Sequence, residues 1–232
     1  AGPYDESDAT QLTLLMSGVW RLLQKKRLTD ELARAREQEL TIASQIQQTL
    51  LMGQIPRKIH GAKIGALSIP SQGIDGDFFD FYSHNQTCFD LVIGDVMGKG
   101  VPAALVGAAA KSHFLRALTR LLSRSGPGRF PEPEEIVARV HSEITPTLSH
   151  LESFLSMHFA RFDLKRKQLD LVNCGHTQVI HYRSRFNSCE LIPGTNMPLG
   201  LNEREVYRQM PVSLEEGDIF LFYSDGATDI RN

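Results

Sequence analysis

Apolar and polar residues follow two different patterns along the chain, and the change comes near residue 60. Residues 9–51 contain no proline and one glycine, and apolar residues recur there at steps of three and four, which predicts one long helix. The narrow apolar seam predicts a two-chain coiled coil, and a single amphipathic helix lying on the domain is the alternative. The seam comprises Leu12, Leu15, Val19, Leu22, Ala33, Leu40, Ala43 and Leu50, and it is interrupted by Lys26, Thr29 and Arg36.

Short apolar runs rich in Ile, Phe and Val predict strands after residue 61. The predicted strands are 62–70, 78–82, 88–94, 154–162, 168–173, 179–182, 205–211 and 219–224. Helical spacing predicts helices over 101–122 and 133–148, with a Gly- and Pro-containing loop between them. Because strands, then helices, then strands follow one another, we expect an antiparallel α+β fold rather than βαβ alternation. We expect two domains, a linker helix over 1–52 and a globular domain over 53–232.

Composition excludes several classes of protein. Of 232 residues, 41% are hydrophobic and 22% charged, which is typical of a globular chain and not of a disordered one. The net charge of −2 gives no reason to expect nucleic acid as a partner, and no apolar run is long enough to span a membrane. The three cysteines form no CxxC pair, so we expect a reduced, cytoplasmic protein.

Three aspartates lie at the ends of apolar segments and beside glycines. Asp77 precedes a Phe-Phe pair, Asp95 follows Leu-Val-Ile-Gly, and Asp225 follows Phe-Leu-Phe-Tyr-Ser. A carboxylate at the end of a buried strand is costly unless it meets a cation, a donor or water. Hard divalent ions prefer such oxygen ligands, so the three are candidate metal ligands. Ordinary Asp-Gly turn chemistry is the alternative for each of them, and the spacing alone leaves both open.

Four sequence blocks resemble the metal-dependent serine/threonine phosphatases of the protein phosphatase 2C (PPM) class, in the bacterial SpoIIE/RsbU-type branch. The blocks are Ile42–Leu50, Gly76–Asp80, Ile93–Leu105 and Tyr223–Asp229, with Asn173–His176 and Met197–Gly200 as further matches. The Gly-Asp-Val-Met-Gly-Lys-Gly run is the most specific of them. The resemblance implies a four-layer α-β-β-α sandwich of two antiparallel sheets, preceded by the long helix.

The resemblance also implies a site for two Mn²⁺ or Mg²⁺ ions. It implies that Asp95 bridges both ions, that the Val96 carbonyl binds one of them, and that Asp77 and Asp225 complete the shell directly or through water. Asp77 and Asp95 are accordingly the catalytic residues in this expectation. Asp229 matches a position that binds a third, weaker ion in some relatives.

Three departures from the family pattern bear on this site. The family usually has Gly where this chain has Asp75, which adds a negative charge beside the ions. Relatives continue past the position of Asn232 with a helix and a strand that carries one more acidic ligand, so the domain is expected to be C-terminally incomplete and its second metal site under-liganded. Met97 stands where eukaryotic relatives carry a histidine that is a candidate general acid, so no proton donor can be named.

The resemblance implies a phosphatase of bacterial signalling that hydrolyses phosphoserine or phosphothreonine on a STAS-type anti-sigma-factor antagonist through a metal-activated water. The N-terminal helix would join an upstream sensor domain, absent from this chain, and pair two chains into a homodimer. A catalytically weak or inactive partner-switching module that binds a regulator is the alternative. A nucleotide cyclase, suggested by Gly76–Phe79, lacks a phosphate-cradling loop.

The sequence leaves two interpretations open for each of three features. His176 is either an acid or a turn-stabilising histidine, and Lys99 either assists phosphate or is a solvated charge. Arg116, Arg120 and Arg124 recur every fourth residue, so one helix face is basic. This face either docks an acidic or phosphorylated protein or is an ordinary exposed surface.

Overall fold

The computed structural model describes residues 6–69, 76–126 and 129–228. The chain divides into two units, residues 1–44 and 45–232. The first unit is described as the N-terminal part of helix α1 (Glu6–Leu51), which confirms the long helix that the apolar seam predicted. Within the described ranges no helix is long and apolar enough to cross a membrane.

Helix α1 carries large apolar side chains that nothing in the described chain covers. Leu15, Trp20 and Leu22 are 67%, 63% and 68% exposed. The side chains of Leu40 and Ala43, which belong to the predicted seam, lie outside the described residues. A second helix would bury such a seam, so the coiled coil and the homodimer stay predictions.

In the part of the chain that the structure describes, eight strands form two antiparallel sheets. The first sheet has five strands in the order β1-β2-β3-β4-β7, and the second has three in the order β6-β5-β8. The strands are β1 (Phe78–Ser83), β2 (Cys88–Val96), β3 (Leu155–Asp163), β4 (Gln168–Cys174), β5 (Val179–Arg183), β6 (Ser188–Ile192), β7 (Met210–Ser213) and β8 (Ile219–Leu221). Two antiparallel sheets form a stable sandwich when each buries one face against the other.

The two sheets enclose an apolar core between their facing sides. Ala160 and Leu171 of the first sheet are fully or almost fully buried in one cluster with Val179 of the second sheet. The Phe162 ring lies 5.9 Å from the Phe220 ring, centroid to centroid, in an edge-on contact across the interface. Burial of these side chains supplies the main driving force for stacking the sheets.

Two helices cover the other face of the five-stranded sheet. They are α2 (Val101–Arg124) and α3 (Pro133–His150), and they pack against each other and against β2, β3 and β4. The Phe114 ring of α2 stacks on Phe159 of β3 at 5.8 Å between centroids. Helices on two face-to-face antiparallel sheets are the α+β sandwich expected from the sequence. The described residues supply one helical layer and both sheet layers of it.

The structure corrects several of the strand predictions. Residues 62–69 form no strand: Leu67 and Ile69 are 84% and 79% exposed, and Ala62 and Ile64 are only partly buried. Pro70 lies outside the described residues. The strand predicted over 205–211 begins only at Met210. Strand β6 was missed because it is an exposed edge strand with a single buried residue, Ile192, and shows no apolar alternation.

Candidate functional site

The inner face of the five-stranded sheet changes from apolar to polar along β3. Ala160 lies in the core, His158 comes next on the same face, and Ser156 follows, opposite Asp95 of β2. His158 is fully buried and its Nε2 lies 2.9 Å from the Thr177 carbonyl oxygen, to which it donates. The space between the sheets therefore becomes polar near the C-terminal end of β2, where Asp95 lies.

Asp77 and Asp95 are neighbours because of the β1–β2 register. Phe78 of β1 is the partner of Gly94 of β2. One further step along this antiparallel pair brings Asp77 opposite Asp95, on the same face of the sheet. Both carboxylates are partly buried. Two adjacent carboxylates repel each other when both are ionised, and a shared cation removes that cost.

Gly76 brings the start of β1 into direct contact with the end of β2. A Cβ atom added to Gly76 would lie 2.5 Å from the Val96 carbonyl oxygen and 2.9 Å from Asp95 Oδ1, which is closer than ordinary van der Waals contact. Any larger residue would therefore push the two strands apart. The glycine keeps two oxygen ligand candidates, a carboxylate and a carbonyl, beside the residue that precedes Asp77.

The Asp225 segment is joined to this pair through its neighbour. The Ser224 hydroxyl donates a hydrogen bond of 2.8 Å to Asp77 Oδ2. The Thr177 hydroxyl donates to the Tyr223 carbonyl at 2.5 Å, which ties the same segment to the end of β4. Asp225 then opens a short 3₁₀ turn, and its side chain is exposed. The segments that carry Asp77, Asp95 and Asp225 thus meet at one end of the sandwich.

The structure brings the three aspartate-bearing segments together, but their side chains do not form a complete metal-ligand shell. Among residues 6–69, 76–126 and 129–228, no three His, Cys, Asp or Glu side chains form a group that could hold a metal ion. Asp229, the candidate for a third ion, and Asp75, the extra charge, lie outside the described residues. Three oxygen donors, the carboxylates of Asp77 and Asp95 and the Val96 carbonyl, remain next to one another through the β1–β2 pair.

The sequence pattern did not identify Ser156 and Ser224, and it did not place His176 beside the segments that carry the aspartates. Ser224 could have been found, since it directly precedes Asp225. Ser156 carries no signal in the sequence, because only the β2–β3 register sets it against Asp95. His176 Nδ1 lies 2.9 Å from Ser156 Oγ, and burial lowers the pKa of His176 to about 4. The imidazole is therefore neutral at physiological pH.

The other acidic residues of the apolar segments have partners elsewhere. Asp90 is fully buried and accepts hydrogen bonds from Arg161 Nε at 2.6 Å and Nη2 at 2.8 Å. Asp218 Oδ2 lies 2.9 Å from His181 Nε2, and Asp80 Oδ2 lies 3.2 Å from Lys111 Nζ. These contacts explain the three carboxylates as structural groups and leave Asp77, Asp95 and Asp225 as the candidates.

The two buried cysteines offer no activated thiolate. Cys88 and Cys174 are buried free thiols, and Cys189 is an exposed one. Burial raises the pKa of Cys88 to about 12 and that of Cys174 well above its usual value. A thiol with a raised pKa is a poor nucleophile at neutral pH. The two buried thiols therefore do not suggest covalent catalysis.

The basic face of α2 is partly neutralised by one acid of α3. Glu143 accepts from Arg120 Nη1 at 3.0 Å and from Arg139 Nε at 2.8 Å, and it also contacts His113. The hydrogen bond to His113 is the largest cause that lowers the pKa of Glu143, so the carboxylate is ionised. These ion pairs favour the interpretation of this face as an ordinary exposed surface.

The protein family that the sequence matches is consistent with the fold described above. The family model described as stage II sporulation protein E (SpoIIE) matches residues 85–232. The sequence is 26% identical over 193 residues to phosphoserine phosphatase RsbU of Bacillus subtilis, covering 83% of this chain and 54% of that protein. It is 24% identical over 196 residues to phosphoserine phosphatase RsbP of the same species, covering 83% and 46%. The chain thus spans about half the length of these relatives.

Among solved structures, the chain is similar to the SiaA-PP2C domain of Pseudomonas aeruginosa. The two superpose with a TM-score of 0.64 and 22% sequence identity, over 81% of this chain and 71% of that one. The likeness establishes the fold, a protein phosphatase 2C-type sandwich of two antiparallel sheets.

Proposed function

The chain belongs to the SpoIIE family, and we propose that it is a metal-dependent phosphatase that hydrolyses phosphoserine or phosphothreonine in a protein. One observation carries the proposal. The β1–β2 register and the Ser224–Asp77 hydrogen bond gather the segments of Asp77, Asp95 and Asp225 at one end of the sandwich. The curated names of RsbU and RsbP, phosphoserine phosphatases, supply the reaction class.

The donor set fits Mn²⁺ or Mg²⁺. All the donors are oxygen atoms, two carboxylates and a backbone carbonyl, and hard divalent ions prefer such ligands. The contact of Gly76 with Asp95 Oδ1 and Val96 O leaves no room for a side chain at that point, which keeps these oxygens close to the Asp77 segment. Asp77, Asp95 and the Val96 carbonyl would hold the ions, with Asp225 at the periphery. By resemblance, Asp229 would bind a third, weaker ion.

Each of these residues has a definable task in phosphate ester hydrolysis. Divalent ions, when bound, neutralise the phosphate dianion and lower the pKa of the attacking water. Asp95, at the rigid end of β2, fixes the position of the binding site relative to the sheet. Ser224 orients the Asp77 carboxylate by donating to Oδ2. No side-chain nucleophile is required, in agreement with the protonated, buried thiols of Cys88 and Cys174.

The substrate that we propose is a phosphorylated regulatory protein of bacterial signalling, of the STAS-type anti-sigma-factor antagonist class. Family resemblance supplies this class. We further propose that α1 pairs two chains, because its seam of exposed apolar side chains, Leu15 and Leu22 among them, is suited to a partner helix. An upstream sensor domain could then act on the site through α1.

The test is the substitution Asp95→Asn, which keeps the side-chain volume and removes the charge. We expect it to abolish Mn²⁺-dependent hydrolysis of p-nitrophenyl phosphate and of a phosphoserine peptide. Asp30→Asn, an exposed position on α1, is the charge-matched control and should hydrolyse both at the wild-type rate. Full activity of Asp95→Asn would refute the assignment of the metal site.

Calorimetry with Mn²⁺ separates the phosphatase from the alternative of a partner-switching module without activity. A phosphatase binds the ion, and binding weakens strongly in Asp95→Asn. A folded wild-type chain that binds no Mn²⁺ at millimolar concentration, yet binds a regulator, would fit the alternative and contradict the proposed reaction.

A further inference from the structure

We propose that His176 is a positioning residue that holds the Asp225 turn against the end of strand β2. The inference rests on the proposed function in one respect, since it takes Asp95 and Asp225 as metal ligands. His176 itself is assigned no contact with substrate or metal. Its task is to fix the relative position of two ligand-bearing segments that are far apart in the sequence.

The first contact joins His176 to the Asp95 strand through Ser156. Ser156 Oγ lies 2.9 Å from His176 Nδ1 and 3.5 Å from the Asp95 carbonyl oxygen. When the hydroxyl hydrogen points to that carbonyl, the serine oxygen accepts from Nδ1–H, which sets the tautomer of the imidazole. A serine bonded in this way connects His176 to the backbone of Asp95, one of the residues that would hold the ions.

The second contact joins the turn that carries His176 to the Asp225 segment. The hydroxyl of the next residue, Thr177, donates to the Tyr223 carbonyl, two residues before Asp225. The His176–Thr177 pair is therefore bonded to Ser156 on the β3 side and to the Asp225 segment on the other. In agreement with this arrangement, burial lowers the pKa of His176 and the Asp225 carboxylate partly offsets that lowering.

The turn that carries His176 is itself held rigidly. Gly175 has a φ of +65°, and a Cβ at this position would lie 2.5 Å from Pro198 Cδ, so only glycine fits without displacing the proline. The His176 amide donates to Asn173 Oδ1 at 2.9 Å. The His158 ring packs edge-on against the His176 ring at 4.8 Å between centroids. Because the turn is held in place, its contacts can fix the positions of the neighbouring segments, as groups bonded to metal ligands do in other metal sites.

The metal-free protein provides the first test. In His176→Ala, hydrogen exchange should accelerate at least about tenfold at the amides of Ala227 and Thr228, which bond to the Ser224 and Asp225 carbonyls in the 3₁₀ turn. In His176→Asn the amide group occupies the place of Nδ1 and can keep the bond to Ser156, so exchange should return towards the wild-type rate. Unchanged exchange in His176→Ala, or equal exchange in both variants, would overturn the proposal.

Mn²⁺ affinity provides the second test, by calorimetry on the same variants. Loss of a residue that positions a ligand typically weakens metal binding about 10- to 100-fold, which we expect for His176→Ala and for Ser156→Ala. The double variant should lose no more than either single one, because both interrupt the same connection. Binding by His176→Ala within twofold of the wild type would overturn the proposal.

The two proposals can fail separately. A wild-type chain that binds no Mn²⁺ and hydrolyses nothing contradicts the proposed function, whereas the exchange experiment, made without metal, still decides the role of His176. A wild-type chain that binds Mn²⁺ normally, with no effect of His176→Ala on exchange or affinity, contradicts only the positioning role.

Discussion

Gly76→Ala is the smallest change that tests the close approach of β1 and β2 at the candidate site. The new methyl carbon would lie 2.5 Å from the Val96 carbonyl oxygen, 2.9 Å from Asp95 Oδ1 and 3.0 Å from the Val96 nitrogen. Ordinary contact begins near 3.4 Å, so the strands must separate by about 0.9 Å. The obstacle is backbone rather than the end of a flexible side chain, so local rotation cannot relieve it.

The expected result follows from this displacement. A misplacement of about 1 Å costs on the order of 100-fold in rate at a catalytic site, and overpacking costs about 1–3 kcal/mol of stability. Gly76→Ala should therefore lower the Mn²⁺-dependent hydrolysis of p-nitrophenyl phosphate about 100-fold and weaken Mn²⁺ binding, while the protein remains folded in urea titrations.

Gly65→Ala is the matched control for this substitution. No heavy atom lies within 4 Å of a Cβ added at Gly65, so its stability should stay within about 0.5 kcal/mol of the wild type and its rate should be unchanged. Equal rates in the folded Gly76→Ala and Gly65→Ala proteins would refute the argument that the approach of Gly76 to Asp95 and Val96 shapes the site.

Three further predictions concern groups that support the fold. Arg161→Met removes the guanidinium partner of the buried Asp90 carboxylate, which keeps the His84 imidazole 2.8 Å from Oδ2, and should cost about 3–5 kcal/mol in urea unfolding. Arg161→Met combined with Asp90→Leu should restore part of this loss, and no recovery would contradict the pairing. Burial lowers the pKa of His158 to about 3, below its value near 6.5 in the unfolded chain. Between these two values the unfolded chain binds one proton more than the folded protein. The free energy of unfolding should therefore decrease as the pH falls below 6.5, by up to about 1.4 kcal/mol per pH unit. His158→Gln should reduce this slope in urea titrations at pH 5 to 7, and an unchanged slope would show that His158 is not the group. Lys111 Nζ donates to the Leu50 and Leu51 carbonyls at the end of α1, at 2.9 and 3.1 Å. Lys111→Met should therefore lower the free energy of unfolding by about 1–3 kcal/mol, whereas Lys165→Met, at an exposed position, should leave it almost unchanged. Equal losses of stability in the two variants would contradict this role of Lys111.

Secondary structure could be predicted where the local pattern is strong. The apolar seam predicted α1, and the spacing of small and apolar residues predicted α2 and α3 to within two residues. The strands with continuous apolar runs, β2 to β4, were also predicted, because these runs must be buried on both faces. The pattern failed for residues 62–69, where the apolar residues are exposed or only partly buried, since a strand requires a partner that the local sequence does not specify.

The chemistry of the site was predictable in part. Asp77, Asp95 and Asp225 could be selected from the sequence because each ends an apolar segment beside glycine, and an isolated carboxylate there needs a partner. Asp90 and Asp218 have a similar local setting, yet they pair with Arg161 and His181. The sequence determined which residues were candidates, and the partners that distinguish them came from the fold.

Periodicity and residue type determined the long helix, an antiparallel α+β class and the candidate aspartates, whereas the stacking of two sheets was implied only by the family resemblance. Only the tertiary structure decided which groups face one another. The β2–β3 register sets Ser156 against Asp95, and the packing of the sheets brings Ser224 to Asp77 and Thr177 to the Tyr223 carbonyl. These contacts join residues up to 147 positions apart. Long-range contacts arise from burial of the whole core, which local spacing does not encode.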